Sequence, residues 1–366
     1  MLPWLRNPRL IWNSFQYLSG LRDSRLVRLT KRPAASYRAV AYGVPEDQWE
    51  AFEAAYPEYE MIFTKPDIMA AELRLAMAAR NTVLLAFDGA PRRLIQVACR
   101  QLNVQVFHAS YAPLPILERN GEVARGFIID SMGDWLKARR PTELSIFLEN
   151  FDISDREQLM AATKNLLAAS TPLPMGDGCL ILPSFSASSL PQGAEEPGDA
   201  DLRAVAADYA TPDQLVFFRG NRAEGWAAPE VVFDFLSTLQ NCKTVVVGDN
   251  PLGILAVLAG REVVVSGRPF WAGFGLTKDL SLFKRRRNLS GEDLVALLVF
   301  VLSRYVDETN RLIDPADDWT LPGHAHSQIS AFADLTAMDT AKIDTAQMNT
   351  GIASDPVVAP RIDEAV

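Results

Sequence analysis

Residues 262–279 read Glu-Val-Val-Val-Ser-Gly-Arg-Pro-Phe-Trp-Ala-Gly-Phe-Gly-Leu-Thr-Lys-Asp, and this stretch decides the fold class. It opens with a run of valines, which is typical of a buried strand. Within Gly267–Asp279 three glycines, a proline and three aromatic residues follow, a composition that is incompatible with a regular helix. The stretch therefore predicts a strand and, at its carboxyl end, a loop, which is where α/β folds bind ligands.

The chain on both sides of this stretch alternates short β-branched runs with amphipathic helical segments. The predicted strands are Tyr37–Gly43, Tyr59–Thr64, Thr82–Phe87, Val104–Ala109, Gly126–Asp130, Cys179–Leu182, Val216–Phe218, Thr244–Gly248 and Glu262–Ser266. The predicted helices are Glu46–Tyr56, Asp67–Arg80, Pro91–Leu102, Thr142–Glu149, Ser154–Ala169, Pro229–Leu239, Leu252–Ala259 and Gly291–Tyr305. This alternation favours right-handed βαβ units around parallel sheets.

One segment interrupts the alternation. Ser170–Gly178 is rich in proline, glycine and small residues, so it predicts a hinge between two domains. We expect two Rossmann-like α/β domains, over residues 37–175 and 176–322, with a ligand cleft between them. Two ordinary α/β domains without a shared cleft are the alternative. A basic, aromatic segment at 1–36 precedes them, and the polar residues 323–366 are expected to form a flexible tail.

The composition excludes several classes of protein. The 366 residues are 48% hydrophobic, enough for two cores, and the formal net charge of −9 argues against general nucleic-acid binding. The three cysteines form no CxxC pair, so neither a disulfide framework nor a structural zinc site is indicated. His324 and His326 lie in a polar segment and are expected to be solvated. We therefore predict no metal site and no bound cofactor.

The loop at Gly267–Asp279 resembles the G-x-P-F/W-Y-A-G-W-G-L-T-x-D loop of the bacterial capsule-polysaccharide biosynthesis family. Gly253–Val263 looks like the G-F-E-A-L-L-x-G-K-x-V segment of that family, and Arg285–Arg287 with Ser303–Asp307 look like its R-R … R-Y-[IV]-D ending. More loosely, Gly126–Pro141 resembles the family's S-L-V-V-D-D-x-G-I-Y-Y-D-A-x-x-P segment. The family includes retaining transferases that attach β-linked Kdo from CMP-Kdo. The resemblance thus implies a GT-B-type fold and a role in capsule or surface polysaccharide assembly or export.

The resemblance and the expected ligand edge together give a set of binding candidates. They are Asn250, Gly253, Gly267, Pro269, Trp271, Gly273, Gly275, Thr277, Asp279, Arg285 and Arg286. Asp279 is expected either to cap the next element or to contact a ligand. The two arginines either meet a phosphate or carboxylated sugar, or belong to a solvated basic turn. Asp88 begins a strand-to-helix turn that either holds an anion or is a plain turn, and Asp130 is expected to bond local amides.

Several charged elements of the family are replaced in this chain. Alignment by the first strand of the second domain places Ser188 where the family has its Asp nucleophile. The position of the family's Glu in S-x-x-G-x-E is Leu255, and its E-D-G-F-x-R-S element corresponds to His108–Leu114. No His-Pro pair matches its H-P-D segment. Retaining sugar transfer needs a carboxylate nucleophile or a substitute for one, so the catalytic residues are unknown from the sequence.

Two hypotheses about function follow. One is a divergent glycosyltransferase that uses a nucleotide-activated donor such as CMP-Kdo and a glycan acceptor. The alternative is a catalytically degenerate scaffold or partner for other capsule assembly proteins. No apolar run reaches the roughly 18–20 residues that cross a bilayer, so a cytoplasmic location is expected. Residues 1–33 interleave basic and aromatic residues, which favours either peripheral contact with the inner membrane or docking on the first domain.

Overall fold

The protein is described by a computed structural model for residues 26–29, 37–65, 77, 82–88, 93–136, 142–151, 156–170, 173–184, 199–218, 226–280 and 285–322. The predicted helix at Asp67–Arg80 (Met77 apart), the Ser188 position and the predicted tail lie outside these residues. So do residues 1–25 and 30–36 of the basic N-terminal segment.

Thirteen strands are present in the described part of the chain. In chain order they are β1 Leu26–Leu29, β2 Tyr37–Tyr42, β3 Tyr59–Thr64, β4 Thr82–Phe87, β5 Gln105–Arg119, β6 Glu122–Asp130, β7 Gly178–Leu182, β8 Leu215–Phe217, β9 Cys242–Val247, β10 Glu262–Val265, β11 Lys278–Asp279, β12 Arg304–Val306 and β13 Leu312–Ile313. The helices are α1 Trp49–Ala55, α2 Arg93–Leu102, α3 Glu143–Asn150, α4 Glu157–Ala168, α5 Asp199–Ala206, α6 Pro229–Leu239, α7 Gly253–Leu258 and α8 Gly291–Val295, which continues as a π-helical turn at Ala296–Val301. Short 3₁₀ turns lie at Glu46–Gln48 and Pro212–Gln214.

The second sheet is a parallel Rossmann-like sheet with the order β11-β10-β9-β7-β8. After β7 the chain adds β8 on one side and then returns to add β9 on the other, so the strand order reverses between β7 and β9. Its strands show the expected period of two. Leu180 and Leu182 face the side that α6 covers, whereas Cys179 and Ile181 face the side that α5 covers.

The first sheet has the order β1-β3-β2-β4-β5-β6-β12-β13. Strands β2, β3, β4 and β5 are parallel, and the order reverses between β2 and β4 just as it does in the second sheet. The remaining pairs are antiparallel. At one edge, Leu26–Leu29 of the basic N-terminal segment pairs with β3, so this piece of the segment docks on the sheet. The α/β class with two Rossmann-like sheets is confirmed.

The expectation of purely parallel pairing was wrong for the second half of the first sheet. Strand β5 runs ten residues beyond the predicted end at Ala109 and turns back into β6 as a hairpin. Asn120 and Gly121 form the two-residue turn with φ of 52° and 87°. Positive φ at both positions is what a type I′ hairpin turn requires, and Asn-Gly is its preferred sequence.

The predicted helix at Gly291–Tyr305 was also wrong in its last four residues, Leu302–Tyr305. The helix ends in the π-helical turn, and Arg304–Val306 forms β12 alongside β6 of the first sheet. The Tyr305 ring is fully buried and its hydroxyl donates to the carbonyl of Leu114 at 2.7 Å. Residues 294–299, 303 and 305–306 are buried, and an apolar run of this kind does not distinguish a buried helix from a buried strand.

One hydrophobic cluster spans the two sheets, and each sheet also has buried clusters of its own. A single cluster of buried side chains includes Leu117 of β5, Leu166 of α4, Leu255 of α7 and Leu297 of the π-helical turn. Helix α4 packs against α8, and α7 packs against β5. The division into domains at residue 175 remains a prediction, because β12 and β13 return to the first sheet. Among the described helices, none has the length and apolar character needed to cross a bilayer.

Candidate functional site

The carboxyl ends of β7 and β9, where the strand order of the second sheet reverses, are tied together by side chains. The backbone amide of Asp249 donates to the Ser184 hydroxyl at 2.9 Å. The Asn250 side-chain amide donates to the carbonyl of Pro183 at 2.8 Å, and its oxygen accepts from the amide of Leu252 at 3.0 Å. Open α/β sheets bind ligands in the crevice outside such a reversal. Asn250 thus fixes the shape of this edge, although its own side chain is buried.

The glycine- and aromatic-rich loop begins directly beside this edge. Asp249 Oδ1 accepts from the backbone amide of Arg268 at 2.5 Å. A Cβ atom at Gly267 would collide with the Asp249 carboxylate, so this position requires glycine for a close approach. The Arg268 side chain itself is exposed. The loop therefore presents one solvent-accessible guanidinium next to the ends of β7, β9 and β10.

The rest of the loop is held in place by its own aspartate. Asp279 accepts from the backbone amide of Gly273 at 3.1 Å and from the Thr277 hydroxyl at 2.8 Å. Burial raises the pKa of the Asp279 carboxyl, and these two hydrogen bonds oppose that shift. Gly273 and Gly275 adopt φ of 83° and 85°, which L-residues rarely tolerate. Of the two expected roles of Asp279, the observed contacts are those of a residue that stabilises the loop.

Trp271 lies in the core and not on an open surface. Its side chain is 1% exposed, and its indole ring packs against the first turn of α7. A Cβ atom at Gly253 would lie 2.5 Å from Trp271 Cζ2. Pro269 is buried as well. Trp271 therefore joins the loop to α7, beside the reversal of strand order in the second sheet.

The arginines after the loop differ in their contacts. Arg285 forms an ion pair with Glu149 of α3 at 2.5 Å, and its guanidinium also lies 5.2 Å from the centre of the Phe274 ring. Arg287 donates to the carbonyl of Phe151 at 2.7 Å. Arg286 is exposed. Arg285 and Arg287 thus connect the second sheet's loop to the helix that follows the first sheet's hairpin.

Aromatic contacts show that the carboxyl edges of the two sheets face each other. Trp135, which follows β6, packs edge-on against Phe270 of the loop with ring centres 4.9 Å apart. Tyr111 of β5 lies 6.5 Å from Trp226, which precedes α6. Trp226 also contacts Trp135 at 6.0 Å. These four aromatic residues, Tyr111, Trp135, Trp226 and Phe270, form the aromatic junction between the two halves.

The first sheet contributes a carboxylate to the same region. Asp88 follows β4, its backbone amide donates to the carbonyl of Ala109 at 2.9 Å, and its φ is 47°. The side chain is solvent-accessible, yet burial by surrounding protein and the charge of Asp134 together raise its pKa to about 7. Gly43, at the end of the neighbouring β2, adopts a φ of 85°.

Two other polar residues at this edge have structural roles. Asp130 accepts from the amides of Met132, Gly133, Glu143 and Leu144 at 2.9–3.0 Å, as expected for a residue that bonds local amides. The Ser110 hydroxyl accepts from Trp135 Nε1 at 2.7 Å. Ser110 lies within the segment aligned with the family's E-D-G-F-x-R-S element, and here it positions an aromatic residue of the junction.

The structure brings most of the predicted residues into one region. Gly253, Gly267 and Trp271 meet where the loop crosses the ends of the strands, and Gly273, Gly275, Thr277, Asp279 and Arg285 form the body of the loop. Sequence reasoning missed the aromatic junction and the influence of the Asp134 charge on Asp88. For Trp135 the signal was present, because it lies in the segment that loosely resembles the family. Nothing in the sequence indicated that Asp134 and Asp88 lie near each other.

Comparisons with known proteins agree with this geometry. Residues 232–303 match the sequence model of the family described as capsule polysaccharide biosynthesis protein. A solved structure of Thermosulfurimonas dismutans KpsC, beta Kdo 2,7 transferase, superposes with a TM-score of 0.50 and 16% identity over 82% of this chain and 99% of that one. A second solved structure, Thermosulfurimonas dismutans KpsC, beta Kdo 2,4 transferase, superposes with a TM-score of 0.49 and 16% identity, over 75% of this chain and 94% of that one. The comparison with curated protein sequences finds no significant match.

The protein is thus of the α/β class with two Rossmann-like sheets, and its fold is similar to that of a Kdo transferase. The match of residues 232–303 covers the loop, α7 and the π-helical turn, the same stretch that carries the resemblance in the sequence. The match to the capsule polysaccharide biosynthesis family is limited to this segment, and the likeness to the solved structure is one of fold.

Proposed function

We propose that this protein transfers a sugar from a nucleotide-activated donor during assembly of a capsule or a related surface polysaccharide. The observation that carries the proposal is the aromatic junction. Because Trp135 meets Phe270 and Tyr111 meets Trp226, the carboxyl edges of both sheets face each other. A GT-B-type arrangement places the donor on one such edge and the acceptor on the other.

The second sheet supplies groups suited to the nucleotide phosphate of the donor. Arg268 is exposed beside the reversal of strand order between β7 and β9, and a guanidinium binds phosphate oxygens through charge-assisted hydrogen bonds. The Ser184 hydroxyl and the backbone around Asp249 lie at the same edge. The first sheet supplies Asp88 on the opposite side, where an acceptor hydroxyl would approach.

Calorimetric titration of the full chain with CMP, CMP-Kdo and UDP-sugars tests the proposal. We expect one nucleotide to bind, and Arg268→Glu to weaken its binding by about tenfold or more, because one charge-assisted phosphate contact contributes roughly 1.5–3 kcal/mol. Arg100→Glu is the matched control, since Arg100 is exposed on α2. Absence of binding by every nucleotide would contradict the proposal, and so would an equal effect of the two variants.

A catalytically degenerate scaffold is the second candidate, and one observation favours it. Leu255, at the position of the family's Glu, is 1% exposed within the core, so no polar group of α7 can reach a ligand from there. A scaffold would bind other capsule assembly proteins without binding a nucleotide. Co-purification of the full chain with those proteins, combined with a negative nucleotide titration, would identify it.

The location of the protein is also a proposal. Capsule precursors are assembled at the inner face of the cytoplasmic membrane, and residues 1–33 carry seven basic residues and one acidic residue. Such a segment binds anionic lipids through charge and interfacial aromatic residues. Flotation of the full chain with vesicles containing anionic lipid, with and without residues 1–25, tests this contact. Equal flotation of the two forms would contradict it.

A further inference from the structure

The Asp88 carboxylate occupies the ligand edge of the first sheet in a way that the family resemblance does not predict. It follows β4 immediately after Phe87, which pairs with Ala109 of β5. Asp88 is thus level with Ser110, inside the segment that aligns with the family's E-D-G-F-x-R-S element. The acidic residues of the family's element are absent from β5 here. Asp88, at the end of the neighbouring strand β4, places a carboxylate close to the same point of the sheet.

The position of Asp88 in the fold is that of a ligand-binding residue. Strands β2 and β4 are adjacent, and the strand order reverses between them. A Cβ atom at Gly43 would lie 3.6 Å from the carbonyl oxygen of Phe87, so the ends of the two strands lie side by side. A side chain at this point is directed to the crevice that α/β sheets use for ligands.

The surroundings of Asp88 connect it to the other half of the protein. Phe87 packs edge-on against Tyr111 at 5.2 Å, and Tyr111 contacts Trp226 across the aromatic junction. Asp134 lies in the turn whose next residue, Trp135, contacts Phe270. Asp88 therefore follows a residue that contacts the aromatic junction, and Asp134 precedes a residue that belongs to it.

We propose that the Asp88 carboxylate accepts the proton of the acceptor hydroxyl during sugar transfer. This inference rests on the proposed transferase function. With Ser188 in place of the family's Asp nucleophile, the transfer is a direct displacement, in which the acceptor oxygen forms a bond to the anomeric carbon while the bond between that carbon and the phosphate oxygen breaks. The electron pair of the broken bond leaves with the nucleotide, and the hydroxyl proton moves to Asp88. Because the Asp88 side chain is accessible, the proton then passes to solvent.

The charges around Asp88 suit a proton acceptor that works near neutral pH. Burial and the Asp134 carboxylate raise the pKa of Asp88 to about 7. Tyr111 faces the same group, and burial followed by the charges of Asp88 and Asp47 raises its own pKa, while Arg125 opposes that shift. A general base is most effective when its pKa lies near the working pH.

The test is the pH dependence of kcat/KM for release of CMP from CMP-Kdo, with water or a glycan as acceptor. We expect the rate to rise with pH to a plateau above about 7, since only ionised Asp88 accepts a proton. Asp88→Asn should lower the plateau by about 100-fold or more while leaving the Kd for CMP unchanged. Asp134→Asn should keep the plateau but move the rise to lower pH, because the repelling charge is gone.

Asp47→Asn is the matched control, since Asp47 acts on Tyr111 at the same edge and should leave both the plateau and the rise in place. If the protein binds CMP and Asp88→Asn turns over at the full rate, the inference falls and the proposed function stands. If Asp134→Asn leaves the pH of the rise in kcat/KM unchanged, only the role of the Asp134 charge is overturned. If the wild-type protein neither binds nor releases a nucleotide, the proposed function and the inference fall together.

Discussion

The Trp271 indole lies directly over the α-carbon of Gly253, so close that a Cβ atom there would be 2.5 Å from Cζ2 and 2.8 Å from Cη2. Trp271 belongs to the loop after β10, and Gly253 is the first residue of α7. This contact fixes the loop against the helix that follows the reversal of strand order. It explains physically why a glycine and a tryptophan occur together in the segment that carries the resemblance.

Replacement of Gly253 by alanine should therefore destabilise the protein. The added methyl group must displace a buried ring, and overpacking of this kind costs about 1–3 kcal/mol in the free energy of unfolding. Urea unfolding measures the effect. Gly133→Ala is the control, because its Cβ atom would meet only Thr142 at 3.5 Å, an ordinary contact. Equal stability of the two variants would show that the tryptophan does not restrict Gly253.

The Arg285–Glu149 ion pair should couple the two halves energetically. The side chains are 12% and 26% exposed, so solvent screens the pair less than it screens a surface pair. A double-mutant cycle with Arg285→Met and Glu149→Gln should give a coupling energy of about 1 kcal/mol or more. The side chains of the Arg119–Glu122 pair are 34% and 56% exposed, so its coupling energy should be about 0.5 kcal/mol or less. A smaller coupling for Arg285–Glu149 than for this control pair would refute the expectation.

The Tyr305 hydroxyl should contribute to the attachment of β12 to the first sheet. It donates to the carbonyl of Leu114 in a fully buried environment, and Tyr305→Phe leaves that carbonyl without this donor. The expected loss is about 1–2 kcal/mol in the free energy of unfolding. Tyr37→Phe is the control, since Tyr37 is 54% exposed and should change stability little. Thermal unfolding of both variants measures the effect. Equal stability of the two variants would show that the Tyr305 hydroxyl does not stabilise the attachment of β12.

Sequence reasoning succeeded where local patterns and tertiary structure agree. Strand β3 at Tyr59–Thr64 and helix α6 at Pro229–Leu239 have the predicted bounds. The strand is rich in β-branched and aromatic residues, and the helix begins with proline in its first turn. The sequence could not show the return of β12 to the first sheet. That pairing depends on Tyr305 fitting over Gly126, where a Cβ atom would lie 2.6 Å from the ring.

The sequence predicted the location of the candidate site more successfully than the roles of its individual side chains. The loop at Gly267–Asp279 does lie at the junction of the two halves, as the resemblance implied. Within it, however, Trp271 is buried and Asp279 bonds the loop itself. Burial and hydrogen bonding depend on which segments meet in space. The influence of the Asp134 charge on Asp88 depends on a turn after an antiparallel strand, which periodicity did not predict.

The role of Asp279 as the stabiliser of the loop leads to a graded prediction. Thr277→Val removes one of its two donors and should cost about 1 kcal/mol. Asp279→Ala removes the acceptor of both bonds and leaves the Gly273 amide without it, so its cost should be about 2–3 kcal/mol. Urea unfolding of both variants gives the order. A larger loss in Thr277→Val than in Asp279→Ala would contradict it.

The unusual carboxyl of Asp88 should make stability depend on pH in a defined direction. Its pKa in the folded protein is about 7, against an ordinary value of 3.8, so the folded state binds this proton more tightly than the unfolded state does. The contribution of Asp88 to the free energy of unfolding is therefore greatest at acid pH and decreases as the pH rises from about 4 to about 7. Above that window the ionised carboxylate is held near Asp134 at a net cost.

The difference in unfolding free energy between the wild-type protein and Asp88→Asn isolates this contribution from those of other carboxylates. Measured in urea between pH 5 and pH 8, the difference should move in favour of Asp88→Asn as the pH rises. Asp213→Asn is the control, because a hydrogen bond from the Thr211 hydroxyl holds the pKa of that exposed carboxyl below its ordinary value. Asp213 stays ionised throughout this range, so its difference should be constant. A constant difference for Asp88→Asn would mean that Asp88 is ionised at every pH tested. Asp88 would then not be a proton acceptor with a pKa near neutral pH, and this measurement needs neither a sugar donor nor an acceptor.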